Sequence, residues 1–317
     1  MVDQSGIGVA TRNSVQALES QGVAVTRDPT ADYDLLHLEW IGPKSLYYAR
    51  WAHKRGRPVV LSVHTPPDLI QGSFTFSRTL AHIYGEYLRR FAHAVDLFIA
   101  PSPFAAQGLN RIANGRPICV ISSGIDLDRF RYDEGKRVSF RRAYNLDRPT
   151  VLCTGQVIPR KGIEDFLTVA RLLPDVSFIW VGARVNRLLF YSPRFERLLK
   201  HHPENVRFTG FIDDVGAAYS GSDLFLFPSH GESLGLVILE AAATGLPLVV
   251  RRLPVYRGWL HEGTDCAMGE TPQEFATAIR ALLDRQEGRS RGGSHVVQGH
   301  SLPQVGEDLL AAYQEIL

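Results

Sequence analysis

The 317-residue chain has few cysteines, no long apolar run and no large excess of charge of either sign. Its three cysteines, Cys119, Cys153 and Cys266, lie far apart and form no C-x-x-C pair, which argues against a disulfide framework or a structural zinc site. They predict a reducing, cytoplasmic compartment. No apolar run approaches the ~18 residues of a transmembrane helix, and residues 1–8 lack the basic flank and apolar core of a signal peptide.

The overall composition is that of a globular protein. Hydrophobic residues make up 44% of the chain and aromatic residues 10%, which excludes disordered, collagen-like and coiled-coil classes. The net charge of +2 is too small for a dedicated nucleic-acid binder, so no nucleic-acid partner is predicted. The charge is uneven, with +4 on residues 1–147 and −2 on residues 148–317.

Short β-branched runs alternate with amphipathic stretches along the whole chain, and this pattern is typical of βαβ units with parallel sheets. We therefore predict an α/β fold of two Rossmann-like, doubly wound domains, residues 1–147 and 148–300, facing a cleft. The polar stretch 131–150 is expected to form the seam between the domains, and the Gly-, Ser- and Arg-rich stretch 286–299 is predicted to be a loop. A C-terminal helix over residues 301–317 is expected to pack back on the first domain. Only five residues precede Gly6, so the first strand of the first domain is expected to be missing.

The strongest motif is His230-Gly-Glu-Ser-Leu-Gly-Leu-Val-Ile-Leu-Glu240, which follows the predicted strand 224–227. Its two glycines open a helix, so free backbone N–H groups and the helix dipole favour an anionic ligand there. Glu232 is predicted to reach the polar head of that ligand, and Glu240 to accept from hydroxyl groups. The alternative is an ordinary loop with Glu240 on a solvated helix face. The backbone contacts would come from Ser233, Leu234, Gly235 and Leu236.

A second basic motif places Arg160 and Lys161 between a buried strand and a helix. Two adjacent cations at such a turn suit a diphosphate, because Arg can fork onto oxygens and Lys supplies a point charge; the alternative is a solvated basic turn. Gly6 and Gly8 belong to a lone Gly-rich turn, Ser5-Gly-Ile-Gly8. Its alternative is a simple helix N-cap.

His64 ends the predicted strand 58–63, and ligands of open α/β sheets bind outside the carboxyl ends of strands. His64 is therefore expected to face a binding site, with a structural histidine as the alternative. His37 and His261 are interpreted as structural or surface residues. Two Asp-x-Asp segments, at residues 32–34 and 126–128, are interpreted as structural, and no metal site is predicted.

Residues 230–240 and four further segments in the right chain order resemble the retaining glycosyltransferases of family 4, which have the GT-B fold. One of the four, Val206 to Phe211, resembles the family's V-x-F-x-G-x segment. Residues 230–240 resemble the family's E-x7-E motif, and Ile121-Ser-Ser-Gly-Ile-Asp126 with Phe130 its N-G-[VI]-D-x-x-x-F turn. Thr154-Gly-Gln-Val-Ile-Pro-Arg-Lys-Gly162 resembles its phosphate-binding segment, and residues 241–250 its A-x-A-x-G-x-P-V-V segment. Gln156 stands where the family often has Arg, so Arg160 is expected to take over phosphate neutralisation.

The resemblance implies a hexosyltransferase that uses a nucleotide sugar as substrate, without a metal or cofactor. The first domain would bind the acceptor, a lipid or glycan, and the second the donor. Glu232 and His64 would be catalytic residues at the donor sugar, Glu240 would accept from the ribose hydroxyls, and Gly6 and Gly8 would contact donor or acceptor. The departing phosphate would take the acceptor's proton on the same face.

Residues 159–166 and 253–260 resemble bacterial diacylglycerol α-glucosyltransferases, which favours UDP-glucose as donor and a lipid acceptor. The basic, aromatic stretch 44–57 is predicted to lie on an anionic membrane surface, with the protein peripheral on the inner face. The alternative is a surface helix that packs its aromatic residues on the sheet. Two other functions stay open, a transferase with a soluble acceptor in polysaccharide or small-glycoside synthesis and a non-catalytic nucleotide-sugar-binding protein.

Overall fold

The computed structural model describes residues 6–66, 77–184, 191–285 and 293–317. The chain divides into two compact units. The first runs to Ile125 and includes Gly299–Leu317, and the second comprises Asp126–Gln298. The boundary therefore lies between Ile125 and Asp126, not between residues 147 and 148 as expected from the sequence. Within the described ranges, no helix is long and apolar enough to cross a bilayer.

The helices and strands follow one another in the alternation that the sequence predicts. The first unit contains α1 (Gly6–Ser20), β1 (Leu36–Leu38), α2 (Pro43–Lys54), β2 (Val59–Ser62), α3 (Ser77–Phe91), β3 (Leu97–Ala100), α4 (Pro103–Leu109) and β4 (Ile118–Val120). The second contains α5 (Glu134–Ala143), β5 (Thr150–Thr154), α6 (Ile163–Leu172), β6 (Ser177–Val181), α7 (Pro193–Lys200), β7 (Val206–Gly210), α8 (Val215–Gly221), β8 (Leu224–Phe227), α9 (Leu236–Ala243), β9 (Leu248–Arg251), β10 (Ala267–Gly269), α10 (Pro272–Asp284) and α11 (Gly293–Gln298). Short 3-10 turns cover Pro159–Lys161 and Pro254–Tyr256, and α12 (Leu302–Gln314) returns to the first unit.

The first unit is built on a parallel sheet with strand order β1-β2-β3-β4. Successive residues of a strand point to opposite faces, and both faces are buried here. Leu61 and Phe98 belong to one apolar cluster, whereas Val60 and Ile99 belong to another. Helix α1 begins at Gly6, the first described residue, and residues 1–5, where a preceding strand would lie, are outside the described residues.

The last helix, α12, completes the first unit by packing on α1. A Cβ atom at Gly306 would lie 2.4 Å from the carbonyl oxygen of Ala17, so only glycine allows this approach of the two helices. Leu309 of α12 joins Ala17 in the apolar cluster on that face of the sheet. Helix α12 thus covers a sheet formed by residues 36–120.

The second unit has a six-stranded parallel sheet with order β10-β9-β8-β5-β6-β7. The chain winds outward from β5 through β6 and β7, then returns to β8 on the other side of β5. This is the doubly wound Rossmann order, and the crevice at its switch point, between β5 and β8, is where ligands bind in such sheets. The loops after these two strands therefore flank the expected binding site.

The segment 131–150 was expected to be a polar seam between domains, but α5 anchors it to the second unit. A Cβ at Gly221 would lie 2.4 Å from the ring of Phe140, so α5 and α8 pack closely. Arg137 and Arg141 pair with Asp223 at 2.7 and 3.1 Å. These contacts move the boundary to a point before α5.

Two further differences concern the end of the second unit. Strand β10 was not predicted, because a three-residue strand carries little periodicity. Residues 286–299 were predicted to be a loop; residues 293–298 form α11, and residues 286–292 lie outside the described residues. The three cysteines are free thiols.

Candidate active site

The loops that follow β5 and β8 meet at the switch point of the second sheet. Gly162 has a φ of 78°, and a Cβ there would lie 2.1 Å from the carbonyl oxygen of Pro228. The backbone N–H of His230 donates to the carbonyl oxygen of Arg160 at 2.8 Å. The two motifs predicted separately from the sequence thus belong to one site.

Lys161 and Glu232 form a buried ion pair at the centre of this site. Lys161 Nζ donates to Glu232 Oε1 at 2.7 Å, and the Ser229 hydroxyl donates to the same oxygen. Arg160 approaches that oxygen to 3.8 Å and also donates to the carbonyl oxygen of Gly231. The alternative of a solvated basic turn is therefore wrong, because both cations are held against a carboxylate that is only 8% exposed.

The charges of this pair are set by opposing effects. Burial alone would raise the pKa of Glu232, but the Lys161 and Arg160 charges and two hydrogen bonds lower it below its ordinary value. Burial lowers the pKa of Lys161, and the Glu232 charge opposes that shift. Glu232 is thus ionised at neutral pH, and the cations beside it are available to an anion that competes with it.

Glu240 lies on α9 and is buried, so the alternative of a solvated helix face is wrong as well. The Tyr219 hydroxyl donates to Glu240 Oε2 at 2.6 Å and is 2.7 Å from the hydroxyl of Thr154, at the end of β5. Burial raises the pKa of Glu240 to about 7, although the Tyr219 hydrogen bond and Arg129 oppose this rise. Sequence reasoning missed Tyr219, because a tyrosine in an apolar segment is typical of a core residue.

Helix α9 begins four residues after Glu232. Gly235 precedes the helix with a φ of 99° and has no side chain to cap it, and Leu236 is the first helical residue. Leu234 is buried, which fixes the turn between Glu232 and the helix. These are the features that an anion site at a helix N-terminus requires.

Arg251, at the end of β9, supports the loop after β8 from the other side. Its Nε donates to the carbonyl oxygen of Pro228 at 3.0 Å, and its guanidinium pairs with Asp165 of α6. His230 lies 3.3 Å from the same aspartate. Arg251 thus links three segments around the site, a role that no short motif indicates.

In the first unit, His64 lies at the carboxyl end of β2 and lines a small polar cavity with Ser62 and Ser122. Its Nε2 is 2.6 Å from Glu39 Oε2. Burial would raise the pKa of Glu39, but His37 and His64 lower it to about 2. The Glu39 carboxylate, missed from the sequence, therefore carries its charge at every physiological pH and holds the His64 ring.

His37 belongs to the same cluster and has the satisfied ring of a structural residue. Its Nε2 is 2.8 Å from the Ser62 hydroxyl, and its Nδ1 is 2.6 Å from the Tyr313 hydroxyl on α12. Burial lowers the pKa of His37, which favours the neutral imidazole. These contacts agree with the interpretation made from the sequence.

The Gly-rich turn predicted at Gly6 and Gly8 is helical. Gly6 is exposed and opens α1, and Gly8 is buried within it. Glycines add nothing to the apolar periodicity of a helix, so the sequence pattern does not locate the first turn of α1. These positions therefore correspond to the N-cap alternative rather than to a loop.

The two Asp-x-Asp segments make local contacts. Asp32 accepts from Arg57 at 2.8 Å, and Asp34 is 3.7 Å from the same guanidinium. Asp126 accepts from the backbone N–H groups of Asp128 and Arg129. Among the described residues, no group of three His, Cys, Asp or Glu side chains is arranged to hold a metal ion.

Helix α2 has one buried face and one face rich in cations and aromatic rings. Leu46, Ala49 and Ala52 pack inward, whereas Tyr47 is 63% exposed. The exposed basic residues of this face are Lys44, Arg50 and Lys54. The Arg55 guanidinium lies 4.4 Å from the centre of the Trp51 ring, and Arg57 pairs with Asp32 and Asp34, so those two cations are already engaged.

The chain has two parallel Rossmann-type sheets, and two cationic side chains, Arg160 and Lys161, lie at the switch point of the second. This arrangement is typical of GT-B glycosyltransferases. Residues 26–129 match the family described as Glycosyltransferase Family 4, and residues 148–285 match Glycosyl transferases group 1. The chain belongs to glycosyltransferase family 4 and is a glycosyltransferase. The resemblance and the GT-B fold predicted from the sequence are both confirmed.

Relatives of known activity extend this result. The chain is 33% identical over 326 residues to the processive diacylglycerol alpha-glucosyltransferase of Acholeplasma laidlawii, covering 100% of this chain and 96% of that protein. It is 26% identical to the alpha-galactosylglucosyldiacylglycerol synthase of Streptococcus pneumoniae, covering 80% and 70% of the two chains. The fold matches that of Anabaena Alr3699/HepE in complex with UDP and glucose, with a TM-score of 0.75, 19% identity and 99% and 83% coverage.

Proposed function

We propose that the protein transfers glucose from UDP-glucose to a hydroxyl of a diacylglycerol-type membrane lipid, with retention at the anomeric carbon. The observation that carries this proposal is the Arg160–Lys161 pair, held against Glu232 at the switch point of the second sheet. The printed activities of the two lipid-glycosylating relatives support the choice of acceptor.

Different residues of the second unit would bind the diphosphate, the ribose and the sugar of the donor. The diphosphate would bind Arg160, Lys161 and the backbone N–H groups of Ser233, Leu234, Gly235 and Leu236, where the helix dipole adds to the two charges. Glu240 would accept from the ribose hydroxyls, because an ionised buried carboxylate needs donors that its protein neighbours supply only in part. Glu232 would hold hydroxyls of the sugar.

In the reaction, the bond from the anomeric carbon to the diphosphate oxygen breaks and leaves negative charge on that oxygen. Arg160, Lys161 and the start of α9 would stabilise this charge, so the reaction needs no metal ion. The acceptor oxygen bonds to the anomeric carbon on the face that the diphosphate leaves, and its proton passes to the departing phosphate. That geometry gives retention.

The residues of the first unit keep more general roles in the proposal. His64 is proposed as a catalytic residue that contacts the sugar, with its ring orientation fixed by the ionised Glu39. The exposed start of α1, at Gly6, is proposed to contact donor or acceptor, whereas the buried Gly8 is not. The exposed face of α2 is proposed to bind an anionic membrane reversibly, through Lys44, Arg50, Lys54 and Tyr47.

The test combines the protein with UDP-glucose and vesicles of diacylglycerol and phosphatidylglycerol, and identifies products by mass spectrometry and the anomeric configuration by NMR. We expect an α-glucosyl lipid. The Lys161→Ala variant should lose most turnover, whereas the matched Lys200→Ala variant, which changes an exposed lysine of the same unit, should keep it.

Other outcomes would refute particular parts of the proposal. A β-glucosyl product would refute retention. Turnover with soluble sugars but not with lipid would favour a role in polysaccharide or small-glycoside synthesis. Binding of nucleotide sugars without turnover on any acceptor would indicate a non-catalytic binding protein.

A further inference from the structure

Tyr256 carries a buried hydroxyl with no hydrogen-bond partner among the described residues. The residue is 1% exposed and ends the 3-10 turn Pro254–Tyr256 after β9. A buried polar group without a partner destabilises a protein, and native structures contain few of them. A ligand-bound state that supplies a partner would remove this destabilisation.

The ring of Tyr256 lies against the loop that carries Glu232. A Cβ at Gly235 would be 3.3 Å from Tyr256 Cε1, so the ring packs directly on the turn between Glu232 and α9. Burial raises the pKa of Tyr256, and the Glu232 carboxylate is the charge that raises it most. The packing of the ring on this turn thus places Tyr256 beside the segment that carries Glu232.

We propose that Tyr256 is a positioning residue for Glu232, and that its hydroxyl donates a hydrogen bond to the Glu232 carboxylate when a nucleoside diphosphate draws Lys161 and Arg160 onto its phosphates. This rests on the proposed donor site. The Tyr256 hydroxyl would thus be unpaired only in the ligand-free protein.

The need for such a donor follows from the contacts of Glu232. Lys161, Arg160 and Ser229 all approach Oε1, whereas Oε2 takes no part in these three contacts. A diphosphate competes for the two cations and adds negative charge beside the carboxylate. A neutral O–H donor can stabilise the carboxylate without attracting the phosphate away from Lys161, and Tyr256 gives up no existing hydrogen bond to do so.

The test is the Tyr256→Phe variant, with binding of UDP, GDP, uridine and guanosine measured by calorimetry. We expect UDP or GDP affinity to fall about tenfold or more, as for the loss of one hydrogen bond to a charged group. Nucleoside affinity should not change, because a nucleoside leaves Lys161 on Glu232. Thermal unfolding should show the ligand-free variant at least as stable as the wild type.

The matched control is Tyr87→Phe, which also removes a buried hydroxyl without a partner, but in the first unit. It should leave every affinity unchanged. In a Glu232→Ala background, Tyr256→Phe should have no further effect on nucleoside-diphosphate affinity, since the group it positions is absent.

The outcomes separate this proposal from the one on which it rests. If the wild type binds the diphosphates no better than their nucleosides, the donor site is wrong and this inference falls with it. If the wild type discriminates and Tyr256→Phe discriminates equally, only the role of Tyr256 is refuted. Equal effects of Tyr256→Phe with and without Glu232 would refute it too.

Discussion

Replacing Glu240 by Gln should stabilise the ligand-free protein above neutral pH and weaken its binding of a nucleotide. Burial raises the pKa of Glu240 from 4.5 to about 7, so the folded protein binds this proton more tightly than the unfolded chain does. The free energy of unfolding therefore falls as the pH rises from about 4.5 to about 7. The ionisation of Glu240 lowers the free energy of unfolding by about 3 kcal/mol, and the whole of this loss is reached above pH 7.

Gln keeps the shape of Glu240 and can still accept from Tyr219, but it has no charge to bury. The variant should therefore be more stable than the wild type at pH 8.5 by up to about 3 kcal/mol, and close to it at pH 4.5. Its affinity for UDP should fall at pH 8.5, because hydrogen bonds from ribose hydroxyls to a carboxylate are stronger than those to an amide.

Chemical unfolding at several pH values and calorimetry with UDP measure both effects. Glu204→Gln serves as the control, because it changes an exposed glutamate of the same unit and should shift neither quantity. A Glu240→Gln variant less stable than the wild type at pH 8.5, or a stability difference that does not grow with pH, would refute the burial argument. Unchanged UDP affinity would refute the assignment to the ribose.

Three further predictions concern the loop contact, the metal and the membrane. Gly162→Ala should destabilise the protein more than Gly22→Ala does and should abolish UDP binding. Both glycines have a φ of 78°, but of the two only Gly162 leaves no space for a Cβ. Unfolding and calorimetry of the two variants test this. Turnover should survive EDTA, since protein cations stabilise the leaving group; loss on chelation, restored by Mg²⁺ or Mn²⁺, would contradict this. Changing Lys44, Arg50 and Lys54 to Gln should reduce flotation with anionic vesicles at low salt. Each basic residue near such a surface contributes about 1 kcal/mol to the binding free energy. Wild-type protein that stays unbound under those conditions would refute the membrane proposal.

The sequence was sufficient to predict the parts of the site that local chemistry determines. The glycines of the 230–240 segment, its two glutamates and the cations at residues 160–161 each have a residue type that indicates a role. The contact between them was not predicted, because Lys161 and Glu232 lie 71 residues apart and pair only through the strand order β8-β5. Periodicity predicts strands, but it does not determine which strands become neighbours.

Other features were missed because the same residue type serves two purposes. Tyr219 and Tyr256 lie in apolar segments, which is typical of core residues. The structure shows that the Tyr219 hydroxyl contacts Glu240 and that the Tyr256 hydroxyl has no partner among the described residues. The segment that forms α5 was predicted to be a polar connection between the domains, because it has one buried large side chain, Phe140, and therefore little apolar periodicity. Its attachment through Arg137 and Arg141 depends on Asp223, far along the chain.

The partly exposed Glu39 and the buried Glu240 show how neighbours decide what a shielded carboxylate can do. Burial acts to raise the pKa of both, yet that of Glu39 is about 2 and that of Glu240 about 7. The His64 ring contacts Glu39 Oε2 at 2.6 Å, so this carboxylate has a partner within the protein and can hold His64 in place without a ligand. Glu240 faces mainly the Tyr219 hydroxyl, which compensates only part of the cost of burying a charge. A ligand that brings hydroxyl donors to Glu240 would supply the rest, and a diphosphate on the same ligand would engage Lys161 nearby on β5's loop. The hydroxyls of a nucleotide sugar would thus stabilise the buried charge of Glu240, and its diphosphate would pair with Lys161. We therefore assign Glu240 and Lys161 to a single donor site.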